Sequence, residues 1–158
     1  MGKLIGIARR EKSRDPMEIL REATISADRG LDGDCKGARF PQRHLTLLAI
    51  EDWQAALALI GSPKLDWTVR RANLLVKGMN LPRGKGSQIQ IGEVIVEVTG
   101  QTSPCQKMEY AQPGLLKALS GNWRGGVTTK VIQGGLIQLG DDVSIRLEVP
   151  EFKIRLTG

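Results

Sequence analysis

The stretch SQIQIGEVIVEVT, residues 87–99, sets the fold class of this 158-residue chain. It predicts two strands, Ser87–Ile91 and Glu93–Thr99, with Gly92 between them. In the second strand three valines alternate with two glutamates and one isoleucine. Such alternation is typical of a strand with one buried face, and the isoleucine is its single exception. The stretch therefore favours β-structure.

Most of the remaining chain has a similar composition, interrupted by turns and two helices. Further strands are predicted at Lys3–Ala8, Ile19–Ala27, His44–Leu48, Asn73–Val76, Val127–Ile132, Asp142–Val149 and Phe152–Leu156. One helix is predicted at Glu51–Ile60, which starts with acids and stops before a glycine, and another at Pro113–Leu119, which starts with proline. The glycines of Gly134-Gly135 and Gly140-Asp141-Asp142 predict hairpin turns.

Many short strands and two helices predict a mainly β fold, either a barrel or a sandwich with a few helical inserts. Glycine supplies 19 of the 158 residues, and a tightly curved barrel needs such residues at its bends and bulges. No linker or repeat divides the sequence. Residues 1–158 are therefore expected to form a single domain.

Composition excludes several classes of protein and site. No apolar run approaches the roughly 18 residues that cross a bilayer, and no signal peptide is visible. Cys35, Cys105 and His44 are the only cysteines and histidine, which is too few for a disulfide framework or a closed zinc site. A cytoplasmic, reducing setting with two available thiols is therefore expected.

A thiol follows the valine-rich strand in the sequence Ser103-Pro104-Cys105. Proline fixes its own backbone and restricts the residue before it, so this loop could present Cys105 to solvent. Lys107 follows two positions later, and a nearby cation favours the thiolate, which is the nucleophile and the soft-metal ligand. The alternative is a buried, unreactive thiol, because free cysteine is among the most buried residue types.

Two arginine-containing segments are candidate anion sites, since guanidinium groups donate paired hydrogen bonds to phosphate or carboxylate. The segment Arg70-Arg71-Ala72-Asn73 is predicted to open a strand, with Arg71 and Asn73 on one face and Arg70 on the other. In Asn122-Trp123-Arg124-Gly125-Gly126, the glycines would let the backbone approach a ligand closely. The structural alternatives are a solvated strand start and a turn whose tryptophan packs on the core.

Two further candidates have weaker signals. The segment Gly30-Leu31-Asp32-Gly33-Asp34 has turn composition, and its spacing does not fit a calcium loop of the EF-hand type. His44 is expected to be a strand residue with a satisfied hydrogen bond. Trp53 is expected in the core on its helix.

Taken in order, these segments resemble the MOSC domain, the molybdenum cofactor sulfurase C-terminal domain. The resemblance covers about residues 3–147, and no single motif is specific. Their order is more specific, with Arg-Arg-x-Asn before Pro-Cys and Arg-Gly-Gly-Val after it. The matching positions are Gly30, Gly33-Asp34, His44–Leu48, Arg70–Leu74, Gly92, Val98-Thr99, Pro104-Cys105, Gly114-Leu115, Trp123–Val127, Gly134-Gly135 and Gly140–Val143.

The resemblance implies a standalone small family member with a barrel related in shape to that of pyruvate kinase. It implies that Cys105 carries sulfur or touches the molybdenum of the cofactor. Cofactor-binding residues would be Arg70, Arg71 and Asn73 in one pocket, with Asp34 and Arg124 at further polar positions. Cys35-Lys36 depart from the basic residue or histidine of many members, which leaves the second thiol unassigned.

Two classes of function stay open. The first is a sulfur carrier or molybdenum-cofactor-binding domain, with cofactor-dependent reduction as its enzymatic version. Full-length cofactor sulfurases have a pyridoxal-phosphate-dependent desulfurase domain, for which 158 residues leave no room. The resemblance therefore implies no pyridoxal phosphate here, and a cysteine desulfurase, a molybdoenzyme or a redox protein as partner.

The second class is a nonenzymatic basic barrel that binds nucleic acid or another polyanion, suggested by a net charge of +6. The few aromatic residues are not interleaved with the basic ones as stacking platforms would be, which argues against nucleic acid. A partner-binding subunit without chemistry is a third possibility. No membrane association is expected.

Overall fold

The computed structural model describes residues 1–12 and 14–151. Its strands are β1 (Gly2–Arg9), β2 (Glu18–Leu20), β3 (Glu22–Ser26), β4 (Gly30–Leu31), β5 (Leu45–Ala49), β6 (Leu74–Lys77), β7 (Gln88–Ile91), β8 (Val94–Gln101), β9 (Val127–Gln133), β10 (Gly135–Gln138) and β11 (Asp142–Leu147). Its α-helices are α1 (Cys35–Arg39), α2 (Ile50–Leu59), α3 (Gln106–Ala111) and α4 (Leu115–Ser120). Short 3-10 helices cover Pro41–Arg43 and Trp67–Arg70.

A closed β-barrel organises the chain, and the prediction of a mainly β barrel with helical inserts is confirmed. The strands follow the order β11-β7-β8-β9-β5-β6-β1, and β11 pairs with β1 to close the ring. Only β5 and β6 pair in parallel within this ring, because α2 connects them as a crossover. On the outer edge β2 extends β1, and β10, β3 and β4 form a separate small sheet.

Two hydrophobic cores flank the barrel wall. The valines of β8 at positions 94, 96 and 98 are fully buried inside the barrel, as their alternation predicts. The outer face of the wall contributes Leu48 and Leu75 to a second core, which Trp53 of α2 and Leu115 of α4 complete. Trp53 is buried as predicted, and its indole Nε1 donates to the Leu65 carbonyl at 3.2 Å. The helices therefore pack outside the barrel.

The turn at Gly92 joins two paired strands, as the sequence predicts, but the later glycine turns do not join paired strands. β7 and β8 pair directly across Gly92, with Ile91 opposite Val94. The predicted hairpins at Gly134-Gly135 and Gly140–Asp142 are wrong, because β10 pairs with β3, and β11 pairs with β7 and β1. These glycines instead carry the chain from one sheet to the other.

Several element boundaries also differ from prediction. Ile19–Ala27 is two strands, and the break at Arg21 adjoins Leu20, the residue that interrupts the alternation of the segment. Pro113 precedes α4 rather than starting it, since Gly114 is the residue before the first helical position. The sequence did not indicate β10, α1 or α3. The predicted strand Phe152–Leu156 lies outside the described residues.

Within the described part of the chain, none of the helices is long and apolar enough to cross a membrane.

Candidate functional site

A small cationic cavity of about 50 Å³ lies where the two 3-10 helices meet the loop after β8. It brings together residues that are distant in the sequence and include three arginines. No acidic side chain is among its lining residues, which are Phe40, Arg43, Thr46, Arg70, Arg71, Ala72, Asn73 and Thr102. The cavity is therefore suited to an anion of few atoms.

Arg70 forms the buried wall of this cavity. The prediction that it opens a strand is wrong, because Trp67–Arg70 is a 3-10 helix that Asp66 caps and that ends at Arg71 with a φ of 65°. The turn directs Arg70 inward, where its side chain donates from Nε to the Gly125 carbonyl at 3.1 Å and from Nη2 to the Thr102 carbonyl at 2.8 Å. Arg70 thus connects three loops.

The positive charge of Arg70 lies in a partly desolvated environment. Burial lowers the pKa of Arg70 to about 10, whereas the electrostatic effect of Cys105 raises it and the charge of Arg43 lowers it. The guanidinium stays protonated at neutral pH. No ion pair joins Arg70 to a carboxylate within residues 1–12 and 14–151. Its positive charge is consequently available to a bound anion.

Cys105 is an exposed free thiol between β8 and α3, three residues after Thr102, and it is not among the residues that line the cavity. Its backbone is extended, with φ −124° and ψ 177°, and it directly precedes α3, whose Met108 amide donates to the Cys105 carbonyl at 2.9 Å. The structure therefore favours a presented thiol over a buried one. Cys105 acts electrostatically on Arg70, where it opposes the effect of burial on the pKa of the arginine.

Thr102 carries an unusual hydroxyl on the cavity wall. The residue is 9 % exposed, and its Oγ1 has no hydrogen-bond partner among the residues that the structure describes. Its backbone is fully engaged, because the amide donates to the Gly126 carbonyl at 2.9 Å and the carbonyl accepts from Arg70. A buried polar group left unsatisfied costs about 1–3 kcal/mol, so such a group calls for an explanation.

A larger groove of about 560 Å³ adjoins the cavity, and Arg71 lines both. Arg14, Lys107 and Tyr110 also line the groove, and Tyr110 is 82 % exposed. A cleft of this size is in the range of pockets for organic ligands, whereas the cavity alone is not. Together they offer an organic anion a groove and a terminal charge site.

Asn73 and Asp34 hold the fold together. Asn73 Oδ1 accepts from the amide and hydroxyl of Thr46, and its Nδ2 donates to the Ala8 carbonyl at 3.2 Å, which ties β5 to β1. Asp34 accepts from the amides of Arg10 and Gly37 and so fixes the start of α1. Asn73 borders the cavity, but Asp34 is not among its lining residues.

Arg124 belongs to a separate cluster around Asp52. Its Nε donates to the Ala118 carbonyl at 2.6 Å. Burial raises the pKa of Asp52, the charges of Arg83 and Arg124 oppose that shift, and Glu51 adds to it. Arg124 does not line the cationic cavity.

The two glycines after Arg124 lie so close to other parts of the chain that neither position has room for a side chain. A Cβ added to Gly125 would lie 2.6 Å from the Thr102 carbonyl oxygen and 3.1 Å from Arg70 Nη2. A Cβ on Gly126 would lie 2.2 Å from the Leu47 carbonyl oxygen. The sequence predicts that both glycines make room for a ligand. In the structure they instead make room for the Arg70 side chain and for the backbone of β5.

The second thiol, Cys35, is half-buried at the first position of α1, and its amide donates to the Arg10 carbonyl at 2.9 Å. Among the described residues, no group of three or more His, Cys, Asp or Glu side chains could hold a metal ion. Cys35 stays without an assigned role.

His44 has the satisfied hydrogen bond that the sequence indicates, at the position just before β5. Its Nδ1 accepts from the Val131 amide at 3.2 Å, so the neutral ring carries its proton on Nε2. Burial lowers the pKa of His44, and the charge of Asp28 partly opposes this. His44 is buried against the barrel wall and does not line the cationic cavity.

Acidification is expected to destabilise the protein through His44. Because the folded-state pKa is lowered, the unfolded chain binds more protons below about pH 6.5, and stability falls as the pH decreases through that value. Urea unfolding at pH 7 and pH 5 measures the effect. In His44→Asn the amide oxygen can accept from Val131 without titrating, so a smaller loss between these pH values is expected; an equal loss would contradict the assignment.

A known domain family matches most of this chain. The sequence model of the MOSC domain matches residues 36–144. The structure is similar to that of the YuaD protein from Bacillus subtilis, with a TM-score of 0.74 and 20% identity over 90% of this chain and 94% of that one. No curated protein matches the chain.

YiiM proteins from two bacteria share the same fold. YiiM from Geobacillus stearothermophilus has a TM-score of 0.73 and 14% identity, over 92% of this chain and 75% of that one. YiiM from Escherichia coli has a TM-score of 0.69 and 18% identity, over 94% and 72%. At these identities the similarity shows the fold alone.

Proposed function

This chain belongs to the MOSC domain family, and from that premise we propose that it is a sulfur carrier whose Cys105 accepts sulfur as a persulfide. The family is associated with molybdenum cofactor sulfurase-like proteins. One observation carries the proposal: the thiol of Cys105 is exposed three residues after Thr102, whose carbonyl accepts a hydrogen bond from the buried, positively charged Arg70. Access and a neighbouring cation are the two properties that sulfur exchange requires.

The transfer conserves atoms and electrons. The Cys105 thiolate attacks the outer sulfur of a donor persulfide, a new S–S bond forms at Cys105, and the S–S bond of the donor breaks. The donor leaves as a thiolate and takes the proton that Cys105 gave up. No external oxidant is needed, because the outer sulfur moves between two thiols of the same kind.

The donor is a separate protein in this proposal, namely a cysteine desulfurase that carries a persulfide. Exposure of Cys105 at the start of α3 supports such an encounter, because the two sulfur atoms must meet directly. A molybdoenzyme is the proposed acceptor.

The residues of the cationic cavity and of the adjoining groove also fit an anionic molybdenum cofactor. Its charged end would be held by Arg70 and Arg71, with Arg43 at the same cavity, and its organic part would lie in the groove beside Lys107 and Tyr110. A soft thiolate suits molybdenum, and the cofactor, when bound, supplies the redox chemistry. Asn73 fixes the edge of this cavity through its hydrogen bonds to Thr46 and Ala8, whereas Asp34 and Arg124 do not line it.

Cys105→Ala is expected to abolish sulfur loading. After incubation with a cysteine desulfurase and cysteine, the intact mass of the wild-type protein should rise by one sulfur atom, and a reductant should reverse the gain. Cys35→Ala is the matched control, since it removes the other thiol and should load like wild type. Equal uptake by wild type and Cys105→Ala would refute the carrier role.

Molybdenum analysis tests the cofactor part separately. Protein purified from a cofactor-producing host should contain molybdenum near one atom per chain if the groove holds the cofactor. Absence of molybdenum from that preparation would remove cofactor binding and leave the sulfur-carrier proposal standing.

A further inference from the structure

Three adjoining depressions carry six cationic side chains around the loop that holds Cys105. We name this surface the basic face, and its cations are Arg14, Arg43, Arg70, Arg71, Lys85 and Lys107. We propose that the basic face is a docking surface for an acidic protein partner, whose carboxylates surround the persulfide that it delivers to Cys105. The inference rests on the carrier role proposed for that thiol and adds the surface chemistry that selects the sulfur donor.

The three depressions are connected through the residues that line them. The groove beside Tyr110 and the cationic cavity share Arg71, and the cavity shares Arg43 with a second groove of about 470 Å³. Lys85 and Ser103 line this second groove. The basic face is therefore one continuous surface.

Chain connectivity places Cys105 between the two grooves. Ser103 lines the second groove, and Lys107 lines the groove beside Tyr110. Because consecutive Cα atoms are about 3.8 Å apart, the Cα of Cys105 lies within about 7.6 Å of the Cα atoms of both residues. The thiol itself is exposed. A partner that spans the two grooves therefore passes over the loop that presents this thiol.

The charge of the basic face is almost entirely of one sign. Asp15 is the one acidic side chain among the described residues that line the three depressions. Four of the cations are exposed and form no ion pair with a described residue, namely Arg14, Arg43, Lys85 and Lys107. Complementary charge accelerates encounter with the right partner and disfavours partners of like charge. The basic face is therefore complementary to an acidic surface.

Exposed aromatic side chains on the basic face favour a protein as the partner. Among the described residues the exposed aromatic side chains are Phe40, which lines the cavity, and Tyr110, which lines the groove. Tyrosine and arginine are enriched among the residues that contribute most to protein interfaces. Two separate rings do not form the succession of stacking platforms that a single nucleic acid strand uses.

Three peptide persulfides test the docking surface. Each has one cysteine persulfide, which is flanked by glutamates, by serines or by lysines. The Cys105 thiolate takes the outer sulfur, and the peptide leaves as a thiolate. At about 0.01 M salt, where charges act over about 30 Å, the glutamate peptide should load wild type about tenfold faster than the serine peptide, and the lysine peptide should be slowest. At about 1 M salt the three rates should be similar.

Charge reversal locates the effect on the basic face. In the double variant Lys85→Glu/Lys107→Glu, the glutamate and serine peptides should load at similar rates at low salt. The ratio of these two rates is the readout, because a change in the reactivity of Cys105 itself alters both rates alike. The matched control is Lys77→Glu/Lys117→Glu, which has the same net charge and changes exposed lysines that line none of the three depressions. The control should keep the wild-type ratio.

The outcomes separate the docking surface from the carrier role. Equal loading of wild type by the glutamate and serine peptides at low salt would overturn the surface, as would an equal fall of the ratio in both double variants. Loading by a cysteine desulfurase but by no peptide would overturn it as well. Tighter binding of a mixed-sequence single-stranded oligonucleotide than of the glutamate peptide would assign the basic face to nucleic acid instead. Failure of wild type with every donor, the desulfurase included, would refute the carrier role itself.

Discussion

Replacing Arg70 with methionine is expected to lower the free energy of unfolding by about 3 kcal/mol. Methionine keeps an unbranched apolar side chain but removes both donors, so the carbonyls of Gly125 and Thr102 lose their buried hydrogen bonds. Each unsatisfied carbonyl costs about 1–3 kcal/mol, and relief of the buried charge offsets part of the sum. The loop after β8 and the start of β9 should loosen together.

Urea unfolding, with thermal unfolding as a second measurement, tests this expectation. For a chain of this length, 3 kcal/mol corresponds to a fall in Tm of about 6–12 °C. Arg70→Lys is the matched control, because it keeps the charge but not the planar fork, and it should lose less stability than methionine. A methionine variant as stable as wild type would show that the two bonds to carbonyls contribute nothing.

The Arg70→Met variant also tests whether Arg70 affects sulfur loading in addition to stability. At a temperature where the variant is folded, Arg70→Met should load sulfur on Cys105 more slowly, since the neighbouring positive charge is gone. Arg70→Lys should recover part of that rate. Loading at the wild-type rate in the folded methionine variant would remove Arg70 from the site and leave it a structural role.

Local patterns predicted the barrel strands well. The valines of β8 and the β7–β8 turn at Gly92 involve residues within a few positions of one another, so periodicity reports them directly. The glycine turns near Gly134 and Gly140 failed as hairpins because their strands pair with β3, β7 and β1. Composition shows where a chain turns but not which strand it meets next.

The site residues also fall into those that the local sequence predicts and those that only the folded chain brings together. The exposure of Cys105 could be predicted from the sequence, because Pro104 marks a loop at the end of a strand. The burial of Arg70 depends on carbonyls 55 and 32 positions away, which no local pattern encodes. Arg43 and Thr102 were missed for the same reason: their neighbours in sequence are ordinary, and only the closed barrel brings them to one cavity.

Gly126→Ala is expected to destabilise the protein by about 4 kcal/mol. Gly126 has a φ of 98°, where an L-residue costs about 1–2 kcal/mol. The new Cβ would also lie 2.2 Å from the Leu47 carbonyl oxygen, which must move and so strain the β5–β9 pairing. Overpacking of this kind adds about 1–3 kcal/mol.

Gly140→Ala isolates the steric part of that cost. Gly140 has a similar φ of 94°, but no other atom lies within 4 Å of its added Cβ among the described residues. It should therefore lose only the 1–2 kcal/mol of the left-handed backbone. The difference between the two variants in urea unfolding measures the clash with Leu47. Equal losses would mean that β5 yields without cost, and the glycine at 126 would then be needed for its backbone angle alone.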